Sequence, residues 1–313
     1  MASPQAHLGA GPVAFKDVFV DGHDAPPLPL PEGHVYVDVE ALPSSNRAHG
    51  LRLYRGVWMA ENWIRGIAHI RSGGLTARPG DVVLASPPKC GTTWLKALAF
   101  ATMARAAHPP AGAGDHGKHP LLWHSPHDCV PFIETFFGAG WGNKLDALPS
   151  PRLMATHMSK SQGNNHSNSS LMIRDPKDMV VSMWHFIRKI QPHVSFSDVF
   201  EHACEGKSLC GLIWDHILGY EELLRETAGN VRKLAQFLGQ PFSVSEEESG
   251  MAEAIVELCS LDKLSSLEVT NQTAPYFRKG GAGDWTNHMT PQMAHRFDDV
   301  MWDKLHGSGL AFT

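Results

Sequence analysis

The sequence predicts an α/β fold, a central parallel sheet flanked by helices, and three observations carry the prediction. Short apolar runs suited to buried strands recur at residues 81–86, 153–156 and 170–173. Stretches with helical apolar spacing lie between and after them, so strands alternate with helices, as a parallel sheet with helices on both faces requires. The first apolar run passes through two prolines and a glycine directly into a helical pattern, forming a strand–loop–helix unit.

Taken in order, residues 1–45 are rich in Pro, Gly and Ala with little periodicity and read as a poorly ordered or loosely docked lead-in. Residues 46–313 read as one domain. The run Asp81-Val82-Val83-Leu84-Ala85-Ser86 is the first predicted strand, and Leu95, Leu98, Ala99 and Met103 mark a helix over 92–105. Residues 107–118 form a Gly/Pro/His loop. The strands at 153–156 and 170–173 are separated by a polar loop at 159–169. Asp175-Pro176 opens a helix over 176–190, with proline in the first turn, where its missing N–H costs little. Further helices are predicted at 196–205, 209–225, 230–238, 251–258 and 262–267, and a last one at 290–305 after the Gly-rich segment 278–283.

A chain of 313 residues can bury a sizeable core, and 42% hydrophobic with 19% charged residues excludes global disorder. The net charge of −5 argues against a general binder of nucleic acid or of a membrane surface. An anionic ligand would need its cations gathered locally. Five cysteines without a CxxC pair, and nineteen scattered histidines without an HExxH spacing, indicate neither a disulfide framework nor a zinc site. No basic leader with an apolar run opens the sequence, and no apolar run is long enough to cross a bilayer, so a reducing, cytosolic setting is expected.

The loop Pro88-Lys89-Cys90-Gly91-Thr92-Thr93-Trp94 lies between a strand and a helix N-terminus, where unpaired N–H groups and the helix dipole attract anions. Gly91 allows close backbone approach, Thr92 and Thr93 add hydroxyls, and Trp94 offers a flat face for a purine. Nucleoside-triphosphatase loops read GxxxxGK[ST]; here Lys89 precedes Gly91 and the first glycine is absent, which suits a shorter anion handled without obligatory magnesium. A prolyl turn with a surface lysine fits the same composition. Arg174 ends a predicted strand and Ser182 follows on the next helix, a pair able to grip phosphate oxygens, although an Arg–Asp surface pair would read alike. Arg278-Lys279-Gly280-Gly281 sets two cations beside mobile backbone, or is a solvated loop. His157 stands at a strand end on the same sheet edge as the Lys89 loop; a histidine there is suited to proton transfer but is more often structural.

Together these segments resemble the plant cytosolic sulfotransferases. Ser86-Pro87-Pro88-Lys89-Cys90-Gly91-Thr92-Thr93-Trp94-Leu95-Lys96-Ala97-Leu98 is similar to that family's 5′-phosphosulfate loop, and 127–132 and 151–157 also match plant members. The resemblance runs from about Trp58 to the C-terminus. It implies a P-loop type sulfotransferase sheet and the donor 3′-phosphoadenosine-5′-phosphosulfate (PAPS), leaving PAP, with no metal. It further implies Arg174, Ser182, Arg278, Lys279 and Gly280 at the 3′-phosphate, Tyr220 at the nucleotide, His157 as general base and Lys89 at the leaving group. The expected acceptor is a small, largely apolar hydroxyl compound such as a flavonoid, a steroid or a hormone-like metabolite. Trp58, His127, Phe132, Phe136, Phe137 and Trp141 are candidate walls, each of which fits a core role equally well.

The chain departs from the family pattern in three places. Relatives carry an extra segment before the tyrosine that Tyr220 resembles, so one core strand of the expected sheet is in question. The polar stretch 159–169 replaces an apolar acceptor loop. Residues 285–291 lack the lysine and valine of the family's dimerisation segment. Two other functions therefore stand beside transfer: a degenerate member that binds PAP or acceptor without turnover, and a P-loop phosphotransferase, which the order of Lys89 and Gly91 opposes.

Overall fold

The computed structural model describes residues 11–18, 37–45, 51–110, 119–158, 169–171, 175–207, 226–266 and 281–305. The expected positions Arg174, Tyr220, Arg278, Lys279 and Gly280, the helix at 209–225 and most of the polar loop at 159–169 lie outside these residues.

Among the described residues the chain begins with a short helix, α1 (Phe15–Val18), whose Phe15 is buried. A hairpin follows, β1 (Leu51–Tyr54) and β2 (Val57–Ala60), paired antiparallel, with both turn residues Arg55 and Gly56 at positive φ. The sequence reading did not anticipate this hairpin or the helix behind it, α2 (Glu61–His69). Strand β3 (Val82–Ala85) leads into α3 (Thr92–Ala104), as expected. After it come α4 (Pro126–Cys129), α5 (Ile133–Gly138), α6 (Gly142–Asp146) and β4 (Leu153–Thr156). Strand β5 is Ser169–Leu171, one residue earlier than predicted at its start. Helices α7 (Pro176–Ile190) and α8 (Phe196–Cys204) precede α9 (Thr227–Phe237), α10 (Val244–Glu248), α11 (Met251–Leu258) and α12 (Leu261–Ser266). A 3₁₀ turn at Asp284–Asn287 and α13 (Pro291–Leu305) complete the described chain.

The described strands of the central sheet run parallel in the order β4–β3–β5. Every residue of β3 and β4 is at most 3% exposed, because helices cover both faces. The pleat divides their side chains. Val82, Leu84, Leu153 and Ala155 pack with α3, α9 and α11 in one core cluster, whereas Val83 and Met154 join α1, α2 and α5 in another. A third cluster joins Cys90 to α7, α8 and α13.

The N-terminal ends of β3 and β4 are tied by Arg152, whose side chain is fully buried. Its Nε donates to Asp81 Oδ1 at 3.0 Å and its Nη2 to Asp81 Oδ2 at 2.5 Å, with further bonds to Asp146 Oδ1 and the Thr76 carbonyl. The opposite, C-terminal ends of the same strands are left for the site.

Candidate active site

The loop after β3 turns back on itself before α3 begins. Cys90 N–H donates to the Pro87 carbonyl at 3.3 Å, Lys89 has φ of 67° and Gly91, the residue before α3, has φ of 83°. A left-handed φ suits glycine at 91 and strains a lysine at 89, and such strain persists only where surroundings hold it. Two contacts provide that hold. Cys90 is fully buried with its Sγ 3.3 Å from Met179 Sδ on α7, and the Lys89 ammonium lies 4.6 Å from the centre of the Phe186 ring, also on α7. The Thr92 hydroxyl is buried, 2.6 Å from Ser86 Oγ and 3.3 Å from the Pro87 carbonyl, so it braces the loop from inside.

His157 follows β4, and the parallel register sets it beside Ser86, which follows β3. The two are joined through side chain and backbone: His157 Nδ1 lies 2.7 Å from the Ser86 carbonyl oxygen. A carbonyl can only accept, so Nδ1 carries the hydrogen and Nε2 of the neutral ring carries the lone pair. The backbone is pinned as well, since His157 N–H donates to Glu134 Oε1 at 2.7 Å. Glu134 is 1% exposed; burial pushes its carboxyl up, against the opposing pull of the His157 N–H.

A buried cation sits close by. Lys96 is 0% exposed, donates to the Val130 carbonyl at 2.8 Å and lies 3.1 Å from His127 Nδ1, with its ammonium over the Phe132 ring. Burial drives its pKa well down, partly offset by Glu134. His127 is driven down too, by burial and then by Lys96, His157 and Lys89, and a neutral ring fits its contact to Thr93 Oγ1 at 3.0 Å. These groups form one network from α3 through α4 and α5 to His157.

Of the six candidate walls, Phe132 packs on His157 with ring centres 4.4 Å apart, and His127 stacks on Phe132 at 5.6 Å. Phe137 belongs to the core, Phe136 meets Phe15 edge-on, Trp141 is exposed beneath Lys144, and Trp58 is half-buried on β2. The other ring face to note is Trp63 of α2, 5.2 Å from His157. Trp63, Glu134 and the burial of Lys96 were not read from the sequence; a charged residue on the core side of α3 was the available signal for Lys96.

Ser182 is buried on α7, whose N-terminus follows Arg174 directly. Asp178 of the same helix, fully buried, accepts from Gly283 N–H at 2.7 Å and Trp285 N–H at 2.8 Å. The flanks of the two predicted 3′-phosphate segments are thereby bonded to each other. The sequence reading gave Asp178 no role of its own.

A family model described as the sulfotransferase domain matches residues 79–309. The chain belongs to the sulfotransferase family. Cytosolic sulfotransferase 5 of Arabidopsis thaliana is 35% identical over 311 positions, covering 88% of this chain and 95% of the relative. Flavonol 3-sulfotransferase of Flaveria bidentis is 36% identical over 294 positions, covering 82% and 91%. Both comparisons span more positions than this sulfotransferase contributes residues, so the relatives hold residues without a counterpart here. Among solved structures, an Arabidopsis thaliana protein for which steroid sulphotransferase activity has been suggested superposes with a TM-score of 0.67 at 31% identity, covering 88% and 94% of the two chains. Retinol dehydratase in complex with androsterone and the inactive cofactor PAP shares the fold at 20% identity, with a TM-score of 0.62 and coverage of 82% and 89%. Among the described residues of this sulfotransferase, no helix is long and apolar enough to cross a membrane.

Proposed function

We propose that this sulfotransferase moves the sulfonate of PAPS to the hydroxyl of a small, flat, largely apolar acceptor in the cytosol. The observation that carries the reading is the Nδ1–H bond from His157 to the Ser86 carbonyl, which leaves the lone pair on Nε2. In an in-line displacement the acceptor oxygen attacks sulfur while its proton passes to His157 Nε2. The bond from sulfur to the bridging phosphate oxygen breaks, and PAP departs with the negative charge. Lys89 on the strained loop is assigned to that leaving oxygen, where an ammonium stabilises developing charge.

The donor is supported by the family, by the PAP held in a fold neighbour, and by the loop 86–91 at the N-terminus of α3. Arg174, Ser182, Tyr220, Arg278, Lys279 and Gly280 are assigned to the nucleotide. The hydrogen bonds from Gly283 and Trp285 to Asp178 support convergence of the Arg174 and Arg278 segments. Rings of Trp63 and Phe132 beside His157 favour an apolar acceptor, in keeping with the flavonol and steroid names among the relatives.

The test is calorimetric titration with PAP followed by transfer from radiolabelled PAPS to a panel of phenols and alcohols. His157→Ala is expected to lower turnover by about 10²–10⁴-fold with PAP affinity retained. Near-normal turnover by that variant overturns its assignment as base. PAP binding by the native protein without transfer to any acceptor overturns the transfer reading in favour of a binding protein.

A further inference from the structure

Three side chains that the transfer reaction does not use converge between α7 and the 3₁₀ turn at Asp284–Asn287. His185 of α7, Asp284 and His288 each offer a ligand atom, and these atoms lie within 4.8 Å of one another. The imidazoles of His185 and His288 stand nearly perpendicular, at 82°, with centres 5.2 Å apart. His288 Nε2 is 3.4 Å from Asp284 Oδ2.

We propose that His185, Asp284 and His288 form a binding site for a borderline divalent transition-metal ion, of which Zn²⁺ and Co²⁺ are the class. Two imidazoles and one carboxylate are the donors such ions prefer, whereas Mg²⁺ and Ca²⁺ select oxygen. The carboxylate supplies one negative charge and sits 7% exposed, so little solvation is left to oppose its use. Its orientation is set from outside the cluster: Asn287 Nδ2 donates to Asp284 Oδ1 at 3.0 Å, leaving Oδ2 directed at His288. Trp184 and Phe196 pack against the His288 ring and provide an apolar surround.

Bonds of about 2.0–2.1 Å in tetrahedral geometry place ligand atoms roughly 3.4 Å apart. The cluster therefore closes by an ångström or so on binding, a change within reach of side-chain rotation. Three protein ligands leave a fourth position for water. The ion would add a tie between α7 and the turn beside the Asp178 bonds to Gly283 and Trp285. The sequence could not display this site, since about a hundred residues separate His185 from Asp284 and His288.

The proposal stands apart from catalysis and is tested by binding alone. The untagged full chain is dialysed against Zn²⁺ with its bound metal counted, and is separately titrated with Co²⁺ while its visible d–d absorption is followed. One equivalent is expected, with a tetrahedral Co²⁺ spectrum and a rise in melting temperature on the order of 4 °C at a hundredfold excess over the dissociation constant. His288→Gln and His185→Gln should each lose that equivalent and the thermal shift, while His295→Gln, at an exposed histidine of α13, should keep both. Metal bound equally by His288→Gln, His185→Gln and the native protein lies elsewhere and overturns the proposal, as does absence of binding to the native protein. If His288→Gln fails to fold, Asp284→Asn takes its place with the same two outcomes.

Discussion

Replacing Arg152 by methionine isolates what holds the sheet together at the end away from the site. The guanidinium is fully buried, the Asp81 carboxylate is 7% exposed, and two N–H groups bridge them at 3.0 and 2.5 Å. Methionine fills most of the volume but leaves Asp81 a buried charge without its cation. Removing one partner of such a pair costs about 3–5 kcal/mol. The Thr76 carbonyl, served by Arg152 at 2.6 Å, loses its donor as well. A loss of about 4 kcal/mol is a large share of the ~5–15 kcal/mol that stabilises a typical domain. It corresponds to a fall of roughly 6 °C in melting temperature for a chain of this size. Urea denaturation followed by tryptophan fluorescence and circular dichroism measures it. The double variant Asp81→Asn/Arg152→Met should lose less than the two single variants added together, because the stranded charge is then gone. A loss below about 1 kcal/mol in Arg152→Met, or strict additivity in the double variant, refutes the reasoning.

Three other outcomes follow from the geometry. Gly66→Ala places a methyl group onto the Glu134 carbonyl where α2 crosses α5, so a loss of about 1–3 kcal/mol is expected by denaturation, with reduced turnover because Glu134 holds His157. His119 accepts from Leu121 N–H through Nδ1 and is pushed down to about 4 by burial and then by His108, so the native state resists its protonation. The unfolded chain takes up that proton near pH 6.5. The stability this neutral ring contributes is therefore complete above pH 6.5 and falls by about 3 kcal/mol as pH drops toward 4; His119→Asn should flatten the measured pH–stability slope in that window. Lys89→Met should depress turnover more than it weakens PAP binding, if the ammonium serves the leaving oxygen; equal losses in both would assign it to ground-state binding only.

The strand–loop–helix around Lys89 was legible because its signals are local: an apolar run too short for a helix, a glycine where φ turns positive, then helical spacing. The helices α7, α8, α9, α11, α12 and α13 were legible for the same reason, with Asp175-Pro176 marking the start of α7. The five-residue α10 is too short to show a period and was not read. The β1–β2 hairpin was not, because its turn is Arg55-Gly56, and an arginine at a φ of 52° carries none of the Asn-Gly or Asp-Gly signature. With the hairpin unseen, α2 and its Trp63 had no anchor in the reading. Lys96 reads as a helical lysine among apolar neighbours; the packing of α4 and of Val130 and Phe132 after it against α3 shows it to be buried. Glu134 was invisible as a support because its bond to His157 N–H spans elements twenty-three residues apart.

The bond between His157 and Ser86 also bears on how this protein can diverge. The residue assigned as base and the loop assigned to the donor hang from adjacent parallel strands, so their anchor points are spaced by the inter-strand distance of about 4.8 Å, a quantity common to all sheets. Loop exchanges around the acceptor leave that spacing untouched. A one-residue slip of β4 would instead turn the His157 side chain to the opposite face of the sheet. On the proposed assignment, chemistry and selectivity are inherited separately: the first is quantised by the ladder of the sheet, and the second drifts with the helices and loops that carry Trp63 and Phe132, the rings assigned to the acceptor.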